Sequence, residues 1–245
     1  MNNKWTGILG LLLTVMWACD QHTVRRYDYA VHGIDISHYQ SFINWDTVAA
    51  QDIHFAFVKA TEGLRMSDTM FCHNWAEMKR VGIKRGAYHF YRPTISAREQ
   101  ADNFSRLVEA EYGDLPPVLD VEVLDGVSKP ILINGIRTWL YLIEIRYNVK
   151  PIIYTNLKFY NKILAGQFND YPIWIARYSF REPTLASGRD WHFWQYGNRG
   201  RIKGVLGDVD FNVFNGTHLD LERLCLTPNS SVILSQGIRQ NQIAD

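Results

Sequence analysis

The sequence predicts an α/β fold: a TIM-like barrel with about five strand-helix units, followed by about three strands with little helix between them. Three observations carry this prediction. Short apolar runs alternate with stretches of helical period through the first two thirds of the chain, as in a parallel sheet with crossover helices. The strand candidates number about eight, enough for closure into a barrel. Three of them carry acids, and the ends of barrel strands are where active sites gather.

The elements follow in order. After a polar stretch, Gly33-Ile34-Asp35-Ile36-Ser37 reads as the first strand. Asn44 is a suitable N-cap for a short helix to Gln51. Phe55 to Ala60 is the second strand. A helix is expected from Ser67, as its cap, to Val81, closed by Gly82. Gly86 to Phe90 is the third strand. The next helix is expected over Ser96 to Tyr112, where Ala97, Ala101, Phe104, Leu107 and Val108 form one apolar stripe and Ser96 with Glu99 forms a capping box. Strand four is Pro117 to Glu122. Pro130 opens a long helix with Ile133, Ile136, Leu140, Ile143 and Tyr147 at helical spacing. Pro151 to Thr155 is strand five, and a helix from Asn156 to Leu164 stops before Gly166. Ile173 to Arg177 and Trp191 to Tyr196 are strands separated by loop. A Gly-rich stretch, 197–207, precedes the last strand, Val209 to Phe214.

The chain has 245 residues, which suits a single barrel domain, here placed at 33–225. Lys and Arg total 26 against 25 acids, so no basic face is implied and nucleic acid is not an expected partner. Residues 1–18 read as a signal peptide: Lys4 supplies the positive start, and Ile8 to Met16 is too short to span a bilayer. Ala18-Cys19-Asp20 looks like a bacterial lipoprotein site, with Cys19 as the lipidated first residue, although Met16 and Trp17 depart from the usual pattern. A tether over 19–32 and a polar tail over 226–245 complete the layout. An ordinary secretory signal is the alternative; either way the chain is expected to be exported, and a lipid would hold it at a membrane surface without spanning. Cys72 and Cys225 would remain, paired or free.

Asp120-Val121-Glu122 ends an apolar strand with two carboxylates on one face, because strand side chains alternate. Neighbouring acids in a confined site raise one another's proton affinity, so one can stay protonated near neutral pH. Asp35 lies on the first strand and Asp210 on the last, with Asn212 on the same face. First and last strands are neighbours in a closed barrel, so Asp35, Asp120, Glu122 and Asp210 can share a cleft. Tyr88, Tyr154, Trp174 and Gln195 sit on or near strand ends, where aromatic faces and amides suit a sugar, although each is equally at home in a core. Glu62 is either a site acid or a loop ligand. His38 and His89 lie near the expected site, but no His, Cys or Asp cluster has metal-ligand spacing, and no cofactor is expected.

Taken together and in order, Gly33 to Ser37, Phe57 to Gly63, Gly86 to Phe90, Leu119 to Glu122, Ile153 to Thr155, Trp174 to Ala176, Trp194 to Tyr196 and Val209 to Asn212 resemble glycoside hydrolase family 25, the Chalaropsis-type lysozymes. The resemblance implies a barrel with irregular final strands and cleavage of the β-1,4 bond between N-acetylmuramic acid and N-acetylglucosamine in peptidoglycan. It implies Glu122 as general acid, with Asp35, Asp120 and Asp210 as supporting carboxylates; burial and an ionised Asp120 beside it are expected to keep Glu122 protonated. A lipid-anchored module that binds peptidoglycan without cutting it, and a hydrolase of another amino-sugar polymer such as chitin, are the alternatives. A monomer is expected.

Overall fold

The structure, a computed structural model, describes residues 22–228. The expected signal peptide, Cys19 and nearly all of the polar tail lie outside the described residues. The elements are β1 (Val31–Ile36), α1 (Trp45–Ala49), β2 (Phe55–Glu62), β3 (Met66–Ser67), α2 (Phe71–Arg80), β4 (Lys84–Phe90), α3 (Ala97–Leu107), β5 (Val118–Asp120), α4 (Lys129–Tyr147), β6 (Ile152–Asn156), α5 (Leu157–Phe159, continued by a π turn to Leu164), β7 (Ile173–Ala176), β8 (Phe193–Gly200), β9 (Val209–Phe214) and α6 (His218–Leu224). Eight strands close in the order β1-β2-β4-β5-β6-β7-β8-β9, and β3 extends β2 as a short hairpin.

Strand polarity departs from expectation in one place. Around the barrel, leaving aside the β2–β3 hairpin, pairs from β1 through β8 are parallel, but β9 runs antiparallel to both β8 and β1. Without a crossover helix, the 201–208 segment returns the chain directly, which forces antiparallel pairing. Asp210 therefore reaches the mouth from the start of its strand, not from the end.

Two apolar clusters divide the core by strand face. Inward-facing Phe55, Phe57, Val118, Ile152, Trp174, Phe193 and Phe214 fill the barrel. Phe57 stacks on Trp174 at 4.4 Å between ring centroids and meets Phe193 edge-on at 5.2 Å. Outward-facing Ile34, Val58, Leu119 and Ile153 pack against the helices, with Trp139 and Ile143 of α4 and Phe104 of α3. Gly33 and Gly86 face inward where the rings stand: a Cβ on Gly33 would lie 2.4 Å from Phe55, and one on Gly86 2.5 Å from Phe57. The filled middle leaves the cleft at the mouth as the space above it.

Three local expectations are corrected. The helix expected from Ser67 starts at Phe71, because Ser67 pairs with Thr61 in the β2–β3 hairpin. The helix expected to reach Tyr112 ends at Leu107; Val108 is extended, and its carbonyl accepts the buried Tyr147 hydroxyl at 2.7 Å. Helix α6 was not anticipated, although Thr217 and Asp220 form a capping box before it. Its Leu221, followed by Cys225, joins the interior cluster and plugs the barrel floor. Cys72 is exposed, Cys225 is buried, and both are free thiols. No helix among the described residues is long and apolar enough to cross a membrane.

Candidate active site

The mouth holds a cleft of about 310 Å³ whose walls include all four predicted acids and all four predicted sugar-contact residues. Strand alternation explains the convergence. Asp35 shares the inward face of β1 with Gly33; Tyr88 shares that of β4 with Gly86; Tyr154 follows Ile152 on β6; Gln195 follows Phe193 on β8. Beyond β5 the chain stays bonded on both sides, with the Val121 amide donating to Tyr154 O at 2.9 Å and the Tyr91 amide to Asp120 O at 2.9 Å. Val121 thus turns into the outer core and Glu122 returns to the cleft.

Asp35 is the most heavily supported carboxylate. The Gln195 amide donates to both its oxygens, at 2.9 and 3.0 Å, and the Asn212 amide donates to Oδ1 at 2.7 Å. Those amides are themselves oriented: Gln195 Oε1 accepts from the hydroxyls of Tyr154 at 2.9 Å and Tyr178 at 3.2 Å, and Asn212 Oδ1 accepts from the Trp174 indole at 2.8 Å. Tyr154, Trp174 and Gln195 therefore spend their polar atoms on positioning Asp35. Tyr39 and Tyr178, which lie outside the strands, offer more exposed rings, at 81% and 56%.

Burial pushes the proton affinity of every acid here upward. Asp210 rises to about 9, because burial and the facing Asp35 both disfavour its charge. Asp35 is also raised by burial, against the opposing bonds from Asn212, Gln195 and Asp210. Asp120 is raised well above the carboxylate range by burial and by Glu122, while Lys59 pulls the other way. Burial raises Glu122 as well; its bond from Asn156 opposes this. The hydrogen bond within the pair favours the proton on Asp120 and lowers Glu122. Asp120 is the deeper member, and the two carboxyls hold a proton across their hydrogen bond. Asn156 serves twice, since its Oδ1 also caps α5 by accepting from the Phe159 amide at 2.9 Å.

Glu62 proves to be a ligand of cations and not a cleft acid. It accepts from Lys59 Nζ at 2.7 Å and from Arg92 at 2.6 and 2.9 Å, and Arg92 lies 3.6 Å from Asp125 in the turn after Glu122. Lys59 itself lines the cleft. His89 is not at the site. It is wholly buried on the outer face of β4, bonded to Thr61 and Gln100, and burial lowers it to about 4. His38 pairs with Asp68 at 2.8 Å outside the cleft wall. Among the described residues no group of His, Cys, Asp and Glu has the arrangement to hold a metal.

Asn212 was legible by its two-residue spacing from Asp210, and Asn156 by the same spacing from Tyr154. Tyr178 lies in a loop, where no periodicity marks a facing side chain.

A closed barrel with a carboxylate cluster and aromatic walls at its mouth defines a glycoside hydrolase. The chain belongs to the glycosyl hydrolases family 25, whose family model matches residues 34–205. It is 44% identical over 199 residues to the uncharacterized protein YegX of Escherichia coli K12, covering 79% of this chain and 73% of that protein. It is 38% identical over 214 residues to lysozyme M1 of Streptomyces globisporus, covering 81% and 72%. The solved family 25 glycosyl hydrolase of Bacillus anthracis superposes with a TM-score of 0.78 at 31% identity, covering 83% of this chain and 97% of that one.

Proposed function

We propose that this hydrolase is a muramidase, cleaving the β-1,4 bond between N-acetylmuramic acid and N-acetylglucosamine in peptidoglycan, with Glu122 as general acid. The observation that carries the assignment is the Asp120–Glu122 pair: two adjacent carboxyls, both raised by burial, one deep and one facing open cleft. Such a pair retains a proton at neutral pH, and Glu122 is the member that substrate can meet. The similarity to lysozyme M1 and to the solved bacterial lysozyme of Streptomyces coelicolor supports the same substrate class.

In this scheme, sugar filling the cleft displaces water from the pair. Glu122 gives the pair's proton to the leaving oxygen as the bond to the anomeric carbon breaks, and the water that then adds to that carbon returns a proton to the pair. The developing oxocarbenium charge is stabilised by the Asp35–Asp210 side of the cleft, and water completes the hydrolysis. Gln195 and Asn212 fix the orientation of Asp35, so the charge it offers is preorganised.

The experiment is product analysis of digested peptidoglycan. A muramidase leaves N-acetylmuramic acid at the new reducing end. N-acetylglucosamine at that end, or glycan retention without new ends, would refute the assignment. We further propose that the chain acts in the cell envelope, held by lipid on Cys19. Mass spectrometry of the mature N-terminus tests this, since an unmodified Cys19 or cleavage elsewhere removes the anchor.

A further inference from the structure

Residues 23–30 do more than lead into β1. They lie along the outer face of β8, which no crossover helix covers because the chain returns directly to β9. The Thr23 amide donates to Arg199 O at 2.9 Å, and a Cβ on Gly197 would collide with the Thr23 side chain. The Arg26 guanidinium stands over the buried Trp194 ring at 4.6 Å, and the Tyr29 ring meets that of Trp191 at 5.8 Å. Arg25 donates to the carbonyls of Gln51 and Asp52 at 2.6 and 2.7 Å. Cation–π contacts and charged bonds to carbonyls thus take the place of a packed helix.

The same segment reaches past β8 to the loop after β7. Arg26 Nη1 donates to Phe180 O at 2.6 Å, and the Tyr29 hydroxyl donates to Glu182 Oε1 at 2.6 Å. The Phe180 ring is 84% exposed, so it does not anchor the loop apex, and these two bonds hold it from outside. The loop is closed by Arg177 Nη1 donating to Glu182 O at 2.6 Å, and the Trp194 indole ties it to β8 by donating to Arg177 O at 2.8 Å. Its inner side carries Tyr178 in the cleft wall, where the hydroxyl donates to Gln195 Oε1 at 3.2 Å. Gln195 in turn donates to both oxygens of Asp35. A continuous path therefore runs from Arg26 and Tyr29, outside the barrel, through the loop and Tyr178 to Asp35.

We propose that residues 23–30 brace the Tyr178 loop, so that Arg26 and Tyr29 are positioning residues for the hydrolysis, acting through Tyr178 and Gln195 on Asp35. The inference rests on the reading of the cleft as a hydrolase site. Tyr178 faces the cleft and orients the amide behind a carboxylate. A loop side chain with both tasks needs outside support, because a small displacement loses the alignment that preorganises the charge.

The test is a pair of double-mutant cycles on release of reducing ends from peptidoglycan, assayed well below the melting temperature of every variant. Tyr29→Phe deletes one hydroxyl outside the cleft. Arg26→Met deletes the donor to Phe180 O and keeps an apolar stem over Trp194. Tyr178→Phe removes the hydroxyl that reaches Gln195. Each single change should lower kcat about threefold to tenfold, as loss of one hydrogen bond predicts, and lower kcat more than it raises KM. The acidic limb of the kcat profile should move to higher pH, because a less oriented Gln195 amide supports the charge of Asp35 less well. On the Tyr178→Phe background, Tyr29→Phe and Arg26→Met should each cost under about twofold more, since the path is already cut. Losses that multiply in full, or brace variants with native kcat and a native acidic limb, overturn the brace alone. A native enzyme that releases no reducing ends overturns the hydrolase reading, and the brace's role in catalysis with it.

Discussion

Asp35 and Asp210 stand directly opposite one another across the antiparallel β1–β9 pair. The two carboxyls come from the end of one strand and the start of the other; Asp35 raises the cost of ionising Asp210, while the hydrogen bond from Asp210 eases ionisation of Asp35. Asp35 has three amide hydrogen bonds from Gln195 and Asn212 to hold its charge, while Asp210 rises to about 9. Asp210 is therefore the partner that holds a proton at neutral pH, and the amide bonds favour charge on Asp35.

That asymmetry has a stability consequence. In the unfolded chain Asp210 returns to the ordinary range near 3.8, so between there and about 9 the folded state binds more protons than the unfolded one. Stability from this group is full below the lower value and is lost as pH rises through the upper. Asp210→Asn should therefore gain in melting temperature relative to the native chain as pH increases from 4 to 9. A difference that stays constant over that range would contradict the assignment.

Glu122→Gln removes the proton donor while keeping size and most bonding. Release of reducing ends from purified peptidoglycan should fall by about 10²–10⁴-fold, with melting temperature unchanged or raised. Near-native activity would remove Glu122 from the role of acid.

Glu62→Gln should act differently. It weakens the anchors of Lys59 and of Arg92, which reaches the turn after Glu122. Hydrogen bonds to charged groups contribute about 1.5–3 kcal/mol each, so unfolding by denaturant should show a loss of that order. Activity should fall as well, because an unneutralised Lys59 beside Asp120 favours ionised carboxyls and drains the acid pair. Its signature is a basic limb of the kcat profile displaced to lower pH. Lys59→Met should displace it upward.

Gly86→Ala tests the filling of the barrel. The added methyl group would enter the Phe57 ring, and a cost of about 1–3 kcal/mol is expected from overpacking. The same change at Gly82, which ends α2 with φ +77° and nothing within 4 Å of the added atom, should cost through backbone strain alone. Denaturant midpoints for the two variants separate packing from conformation.

Much of the site was legible because strand periodicity is local. Asp35, Asp120, Tyr88, Tyr154 and Gln195 each follow an inward residue by two positions, Trp174 precedes inward Ala176 by two, and all six stand in the cleft wall. His89 fails by the same rule, since it alternates with Tyr88 and must point outward. Tyr178 and Tyr39 come from loops, whose course depends on what they pack against, and α6 is short enough that only its capping box announced it.

The sequence by itself determined the strand-helix rhythm, the inward set of each strand and the four acids, since all of these depend on near-neighbour spacing. Tertiary structure decided which acids face each other, where the shared protons rest and that β9 runs backwards. Those depend on burial and on contacts between residues far apart in the chain, such as Asp35 with Asp210 and Gln195 with Asp35, and no local pattern encodes how deeply each carboxyl is buried.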